Sequence, residues 1–111
     1  MKKEPLIFLQ HIQECIYLIE EYTEGLTKAK FKKDIAKQDA IIRRLEIIGE
    51  ALTNVPTDFR KKYPEVSWRQ IIATRNKLIH EYFGVDLDVV WNIVKKDLPI
   101  LKNQIDKIFE T

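Results

Sequence analysis

Apolar residues return every three or four positions through almost the whole chain, and nowhere do they alternate over the length of a strand. That period is the one of an α-helix, about 3.6 residues per turn, and it excludes a half-buried sheet, whose side chains repeat every second residue. Only three glycines and four prolines interrupt it, and all but Gly49 and Pro99 fall where a stripe ends or begins. Pro5 suits the first turn of a helix over 5–24. Its arc is Phe8, Leu9, Ile12, Cys15, Ile16, Ile19 and Tyr22, and Gly25 ends it. A long second helix, 33–54, stops before Pro56 and carries Ile41, Ile42, Leu45, Ile48 and Leu52 on its main face. Gly49 lies within that face, where a missing side chain lets another helix approach. A weaker second strip (Ala36, Ala40, Ile47, Ala51) marks either a sandwiched helix or a subunit interface, and the interface is preferred.

Residues 56–66 read as a loop with at most one turn, closing on Pro64. A third helix is expected from Ser67, as N-cap, to about Phe83, with Gly84 as its stop. Asp86 or Asp88 caps a fourth, whose face is Val90, Ile93, Val94, Leu98, Leu101, Ile105 and Ile108. Pro99 interrupts that run, which predicts a break or kink near Asp97 and allows a separate last helix. The expectation is all-α: an up-and-down bundle of four main helices, the last broken near Pro99, forming a single domain over 1–111.

Hydrophobic residues make up 45% of the chain and charged residues 32%, the balance of a folded, soluble, helix-rich protein. No apolar run reaches transmembrane length and no secretory leader is visible, so a cytoplasmic chain with no membrane partner is expected. Cys15, the one cysteine, falls on an apolar face and reads as a buried free thiol. Net charge is only +2, far from the excess of a basic nucleic-acid arm. Local clusters occur at Lys28, Lys30, Lys32 and Lys33, at Arg43 and Arg44, at Arg60, Lys61 and Lys62, and at Lys95 and Lys96. Solvated helix surface is the reading for most of them, although they permit an RNA-binding face.

The stretch RNKLIHEY, 75–82, breaks the pattern. At about 100° per residue, Trp68, Ile71, Ile72, Arg75, Leu78, Ile79, Tyr82 and Phe83 share one arc, and Arg75 lies near its centre. An unpaired guanidinium in a core costs several kcal/mol, so Arg75 needs a carboxylate partner or a wet cleft. Asp39, Glu46 or Glu50 of the second helix could serve as that partner. Asn76 and His80 follow at the edge of the arc, four apart and on one stripe. Tyr82 alone reads as core packing with its hydroxyl at the rim. No Cys/His cluster has zinc spacing, no glycine-rich loop could cradle phosphates, and no serine or cysteine nucleophile motif is present; neither metal nor cofactor is expected.

Together, Arg75, His80 and Tyr82 spell R-x4-H-x-Y, with polar Asn76 directly after the arginine. This resembles the signature of the HEPN superfamily, and specifically of HepT-like toxins. QDAIIRRLEIIGEAL (38–52) resembles the family's second helix, and VSWRQIIATRNKLIHEYFGVDLDVVWNIVKKDLP (66–99) its third and fourth. The resemblance implies a metal-independent endoribonuclease, the toxin of a toxin–antitoxin pair, acting on RNA as a homodimer whose signature helices line one cleft. It assigns catalysis to Arg75 and His80, with Asn76 in support. It further implies an MNT-type nucleotidyltransferase antitoxin that transfers AMP onto Tyr82.

Residue chemistry agrees with that assignment. Cutting RNA without a metal needs a base for the 2′-hydroxyl proton, an acid for the leaving oxygen and a cation for the crowded phosphorane. His80 can move protons near neutral pH, and Arg75 can hold a phosphate oxygen through two parallel donors. On an ideal helix, however, these two side chains stand about 140° apart. Either the helix loosens near Gly84 or a two-fold axis brings two copies together. A dimer also supplies a second histidine, since the only other one, His11, lies in another helix. The competing expectation is a non-catalytic helical module that docks on a nucleotidyltransferase and binds or presents its nucleotide; a plain dimeric bundle with Arg75 in an internal ion pair is the third.

Overall fold

The computed structural model describes residues 4–73 and 86–110, and among these every regular element is helical. Helix α1 spans Glu4–Thr23, α2 Lys28–Lys33, α3 Ile35–Asn54 and α4 Thr57–Lys62. Residues 68–73 form the described part of α5, α6 spans Leu87–Asn92, and α7 spans Leu98–Glu110. The buried side chains join in one core cluster.

Helices α1 and α3 make the most extensive packing pair. Their stripes face each other as the spacing predicts: Leu9, Ile12, Cys15, Ile16 and Ile19 of α1 and Ile41, Leu45, Ile48 and Leu52 of α3 are all buried. Gly49 is buried within the same face. Helix α7 lies antiparallel to α1, because Gln13 Nε2 donates to Asp106 Oδ1 at 2.9 Å while Lys102 reaches Glu20 at 3.1 Å. Leu98, Leu101, Ile105 and Ile108 close the core from that side. Gly25 ends α1 at φ +71°, a backbone conformation that glycine adopts at no steric cost.

Two local expectations are refined. The second helix was placed at 33–54, but the chain makes a separate six-residue helix first. Asp34 then leaves helical geometry (φ −107°, ψ 92°), and its carboxylate accepts from the Lys37 N–H at 3.0 Å, capping α3. Helix α2 is held by Phe31, which is fully buried and whose ring centroid lies 5.3 Å from that of Trp91. The interruption at Pro99 falls where the sequence puts it, but as a widened turn rather than a gap. Ile93–Asp97 is π-helical, with the Leu98 N–H bonded to the carbonyl of Ile93. Proline offers no N–H and its ring crowds the carbonyl four residues back; a wide turn ahead of it relieves both, and the helix continues into α7.

The segment 56–66 holds more structure than a loop with one turn. Helix α4 occupies Thr57–Lys62, and Arg60 is not solvated surface. Its Nε donates to the carbonyl of Val55 at 3.0 Å, and its Nη2 donates to those of Leu52 at 2.9 Å and Thr53 at 3.0 Å. A helix C-terminus leaves such carbonyls without partners, and one guanidinium here satisfies three carbonyls at the end of α3. Arg60→Ala should therefore destabilise the fold by about 1.5–3 kcal/mol, the usual cost of losing charge-assisted bonds. Urea unfolding of both proteins would show it as a lowered midpoint. An unchanged midpoint would mean water replaces the guanidinium without loss.

Arg44 also leaves the surface class: it reaches Cys15 and Tyr22 of α1. Cys15 is a buried free thiol, as the sequence suggests, and burial pushes its pKa up against the opposing pull of Arg44. No helix among the described residues is long and apolar enough to cross a membrane.

Candidate active site

Arg75, Asn76, His80 and Tyr82 lie outside the described residues, and so do the expected end of α5 at Phe83 and its stop at Gly84. What the structure describes is the platform from which the signature segment departs. Trp68 and Ile71 are buried and Ile72 half-buried, while Arg69 and Gln70 are exposed. The arc drawn from the sequence is thus the core-facing side of α5 over its described turns.

Three hydrogen bonds fix where α5 begins. The Trp68 indole N–H donates to the carbonyl of Tyr63 at 3.0 Å. From α7, Gln104 Nε2 donates to the carbonyl of Glu65 at 2.7 Å, and Gln104 Oε1 accepts from the Ser67 N–H at 3.3 Å. A single amide side chain thereby ties the residue before α5 to the far helix. The carbonyl of Ser67 accepts from the Ile71 N–H, so Ser67 is the entry residue that its type predicts. Downstream, Asp86 rather than Asp88 caps α6, its carboxylate accepting from the N–H groups of Asp88 and Val89. The described residues on either side of the signature segment thus start their helices with defined first-turn contacts. Gln104→Ala removes both amide bonds, one exposed and one part-buried, and should cost about 0.5–1.5 kcal/mol, measured by urea unfolding. An unchanged midpoint would show that the amide contributes no net stability.

The side chains proposed from sequence to meet Arg75 divide as follows. Asp39 is exposed, whereas Glu46 is half-buried and 3.7 Å from Arg43 one turn earlier. Glu46 and Glu50 line a groove of about 330 Å³ between α1 and α3, together with Phe8, His11, Arg43, Ile47, Ala51 and Asn54. His11 thus stands beside an arginine and two carboxylates, a grouping that its position in the sequence did not announce. The weaker strip of α3 meets this groove through Ile47 and Ala51, while Ala36 is exposed. Among the described residues no group of three or more His, Cys, Asp or Glu side chains could hold a metal ion.

The model of the family described as "Ribonuclease HepT-like" matches residues 12–108. The chain belongs to the HepT-like ribonuclease family. Among its relatives, one from Thermococcus cleftensis named "Probable ribonuclease HepT" is 47% identical over 97% of this chain and 98% of its own length. Another, from Methanocaldococcus jannaschii and named "Gamma-glutamylcyclotransferase and putative RNase", is 51% identical over 99% of this chain. The chain spans about half of that relative, 50% of its length. No solved structure gives a significant match. The matched region takes in the whole of RNKLIHEY, and with it every residue assigned from sequence to catalysis or modification.

Proposed function

We propose that this HepT-like protein is a metal-independent endoribonuclease, the toxin of a toxin–antitoxin pair, acting in the cytoplasm as a homodimer. One observation carries the reading: an intact R-x4-H-x-Y stands inside a chain that matches the ribonuclease family model over residues 12–108. In the reaction the ribose 2′-oxygen attacks the adjacent phosphorus while an imidazole of His80 takes its proton. The bond from phosphorus to the 5′-oxygen then breaks, and an imidazolium returns a proton to the leaving oxygen. Arg75 holds the non-bridging oxygens as negative charge builds on them. The products are a 2′,3′-cyclic phosphate and a free 5′-hydroxyl.

Two copies meet the geometric requirement better than one. A two-fold axis supplies a second His80 and a second Arg75, so base, acid and cation need not come from one helical face. Asn76, four positions before His80 in sequence, supports the phosphate. The deciding experiment is to incubate purified protein with total RNA and chelator and to map the new ends. Cleavage leaving cyclic phosphates is expected; intact RNA at high protein concentration would overturn the reading. Sedimentation of an active sample should show a dimer, and an active monomer would remove the two-fold argument.

Tyr82 is the regulatory residue in this reading. It stands seven positions after Arg75 in sequence, a spacing that on an ideal helix is two turns along nearly the same stripe. AMP transferred there by an MNT-type nucleotidyltransferase brings a phosphate and a bulky adenosine to the place where RNA must enter. The phosphate competes for Arg75 and the adenosine blocks the strand, which together suffice to silence the enzyme. Tyr82→Phe should retain cleavage yet resist silencing by the partner transferase with ATP, read as unchanged cleavage rate and no added AMP mass. A Tyr82→Phe protein that is still fully silenced would remove Tyr82 from the switch.

A further inference from the structure

Along the edge formed by α2, α6 and the π-helical turn that follows α6, three exposed lysines each meet a partner side chain. Lys28 and Lys32, one turn apart on α2, both direct their ammonium groups to the same oxygen of Asp88, at 3.0 and 2.8 Å. One oxygen of Asp88 faces two ammonium charges, and the Asp86 carboxylate caps the same helix two residues earlier. Those two ammoniums also hold the Asp88 carboxyl below the usual carboxylate range. On the same stripe of α6, three residues on, stands half-buried Trp91, propped by Phe31. Four residues further, the Lys95 ammonium lies 4.9 Å from the Trp91 ring centroid, a contact that orders the cation without neutralising it. From Asp88 to Lys95 the stripe runs about 10 Å, long enough for neighbouring phosphates of one strand. A carboxylate-lined groove of about 560 Å³ adjoins it, bounded by Glu20, Glu21 and Glu24 on one wall and Lys95 on the other. Those glutamates repel a polyanion, so a strand is kept on the lysine edge and out of the groove.

We propose that the α2–α6 edge, through Lys28, Lys32 and Lys95, is a backbone-binding track for single-stranded RNA outside the signature segment. It rests on the ribonuclease reading and adds a surface that RNKLIHEY does not contain. Phosphate contacts of this kind position a strand without reading its sequence. They also reveal themselves through salt, since each one lost lowers the slope of log affinity against log salt by about 0.7 for a single strand.

The test uses the whole protein and a short 2′-O-methyl RNA, which binds but lacks the attacking hydroxyl. Binding is followed by fluorescence anisotropy between about 50 and 200 mM salt. Replacing Lys28, Lys32 and Lys95 together by glutamine should weaken binding about tenfold or more and reduce the salt slope by about two. Asp88→Asn, which frees both α2 lysines, should tighten binding instead. A control with Lys61, Lys62 and Lys107 changed to glutamine carries the same loss of charge elsewhere and should bind nearly as the parent does. Circular dichroism checks that each variant is folded. An unchanged slope in the first variant, an equal loss in the control, or no binding by the parent protein would overturn the track. Cleavage of total RNA by the parent protein is scored separately: cutting without the slope change sinks the track alone, whereas no cutting sinks the ribonuclease reading.

Discussion

His80→Ala should abolish chelator-resistant RNA cleavage, with a fall of about 10²–10⁴-fold, the range that a positioned proton-transfer group contributes. The size follows from the inventory of the chain. Histidine is the side chain whose ordinary pKa lies closest to neutrality, and the sequence holds two. His11 belongs to α1 and sits in the groove with Arg43 and Glu46, so His11→Ala serves as the comparison and should stay near the parent rate. Both variants are to be compared by initial rates on total RNA, with circular dichroism confirming the fold. Residual activity within a few-fold of the parent in His80→Ala would mean that the proton is moved by another group, and the proposed chemistry would fall. A non-catalytic module docked on a nucleotidyltransferase would give no cleavage in any of the three proteins.

Phe31→Ala should cost about 3–5 kcal/mol of stability, the range for emptying a buried aromatic site. Phe31 has no exposed surface and is the one buried side chain of α2. A six-residue helix cannot stand on propensity alone; isolated helices this short are marginal even with favourable sequences. The Thr27 cap at 3.2 Å and the lysine pairs to Asp88 are partly or fully exposed contacts worth little by comparison. The aromatic plug into the core beside Trp91 is therefore what docks α2, and the RNA track proposed on that edge depends on it. Urea unfolding should show a much lower midpoint at nearly constant slope. A loss under about 1 kcal/mol would show that α2 unfolds separately and adds nothing to the cooperative unit.

The reading of Lys28–Lys33 shows why part of the fold was hidden. Four lysines in six residues gave no apolar period to detect, and a single phenylalanine among them carries no face. The long stripes were different. Leu9 to Ile19, Ile41 to Leu52 and Val90 to Ile108 each repeat often enough for period and burial to agree closely, with Ile42 half-buried on the main face of α3 and Ala51 of its weaker strip buried. The cap of α6 was legible to within two residues, because either aspartate was chemically suitable and only the backbone path chose Asp86.

Composition and period alone determined that the described chain is helical, which side chains of the three long stripes enter its core, and that Pro99 disturbs the last helix. The candidate chemistry came instead from the family resemblance that RNKLIHEY carries, with a fixed cation, an imidazole and a phenol in one short segment. These are properties of neighbours in sequence, governed by local backbone geometry. Only the tertiary structure decided what the scattered polar residues do: that Arg60 closes the end of α3, that Arg44 turns inward to Cys15 and Tyr22, and that Gln104 holds the start of α5. Each of those roles depends on how two elements dock, and a hydrogen bond that exists only at one distance and angle leaves no periodic trace in the order of residues.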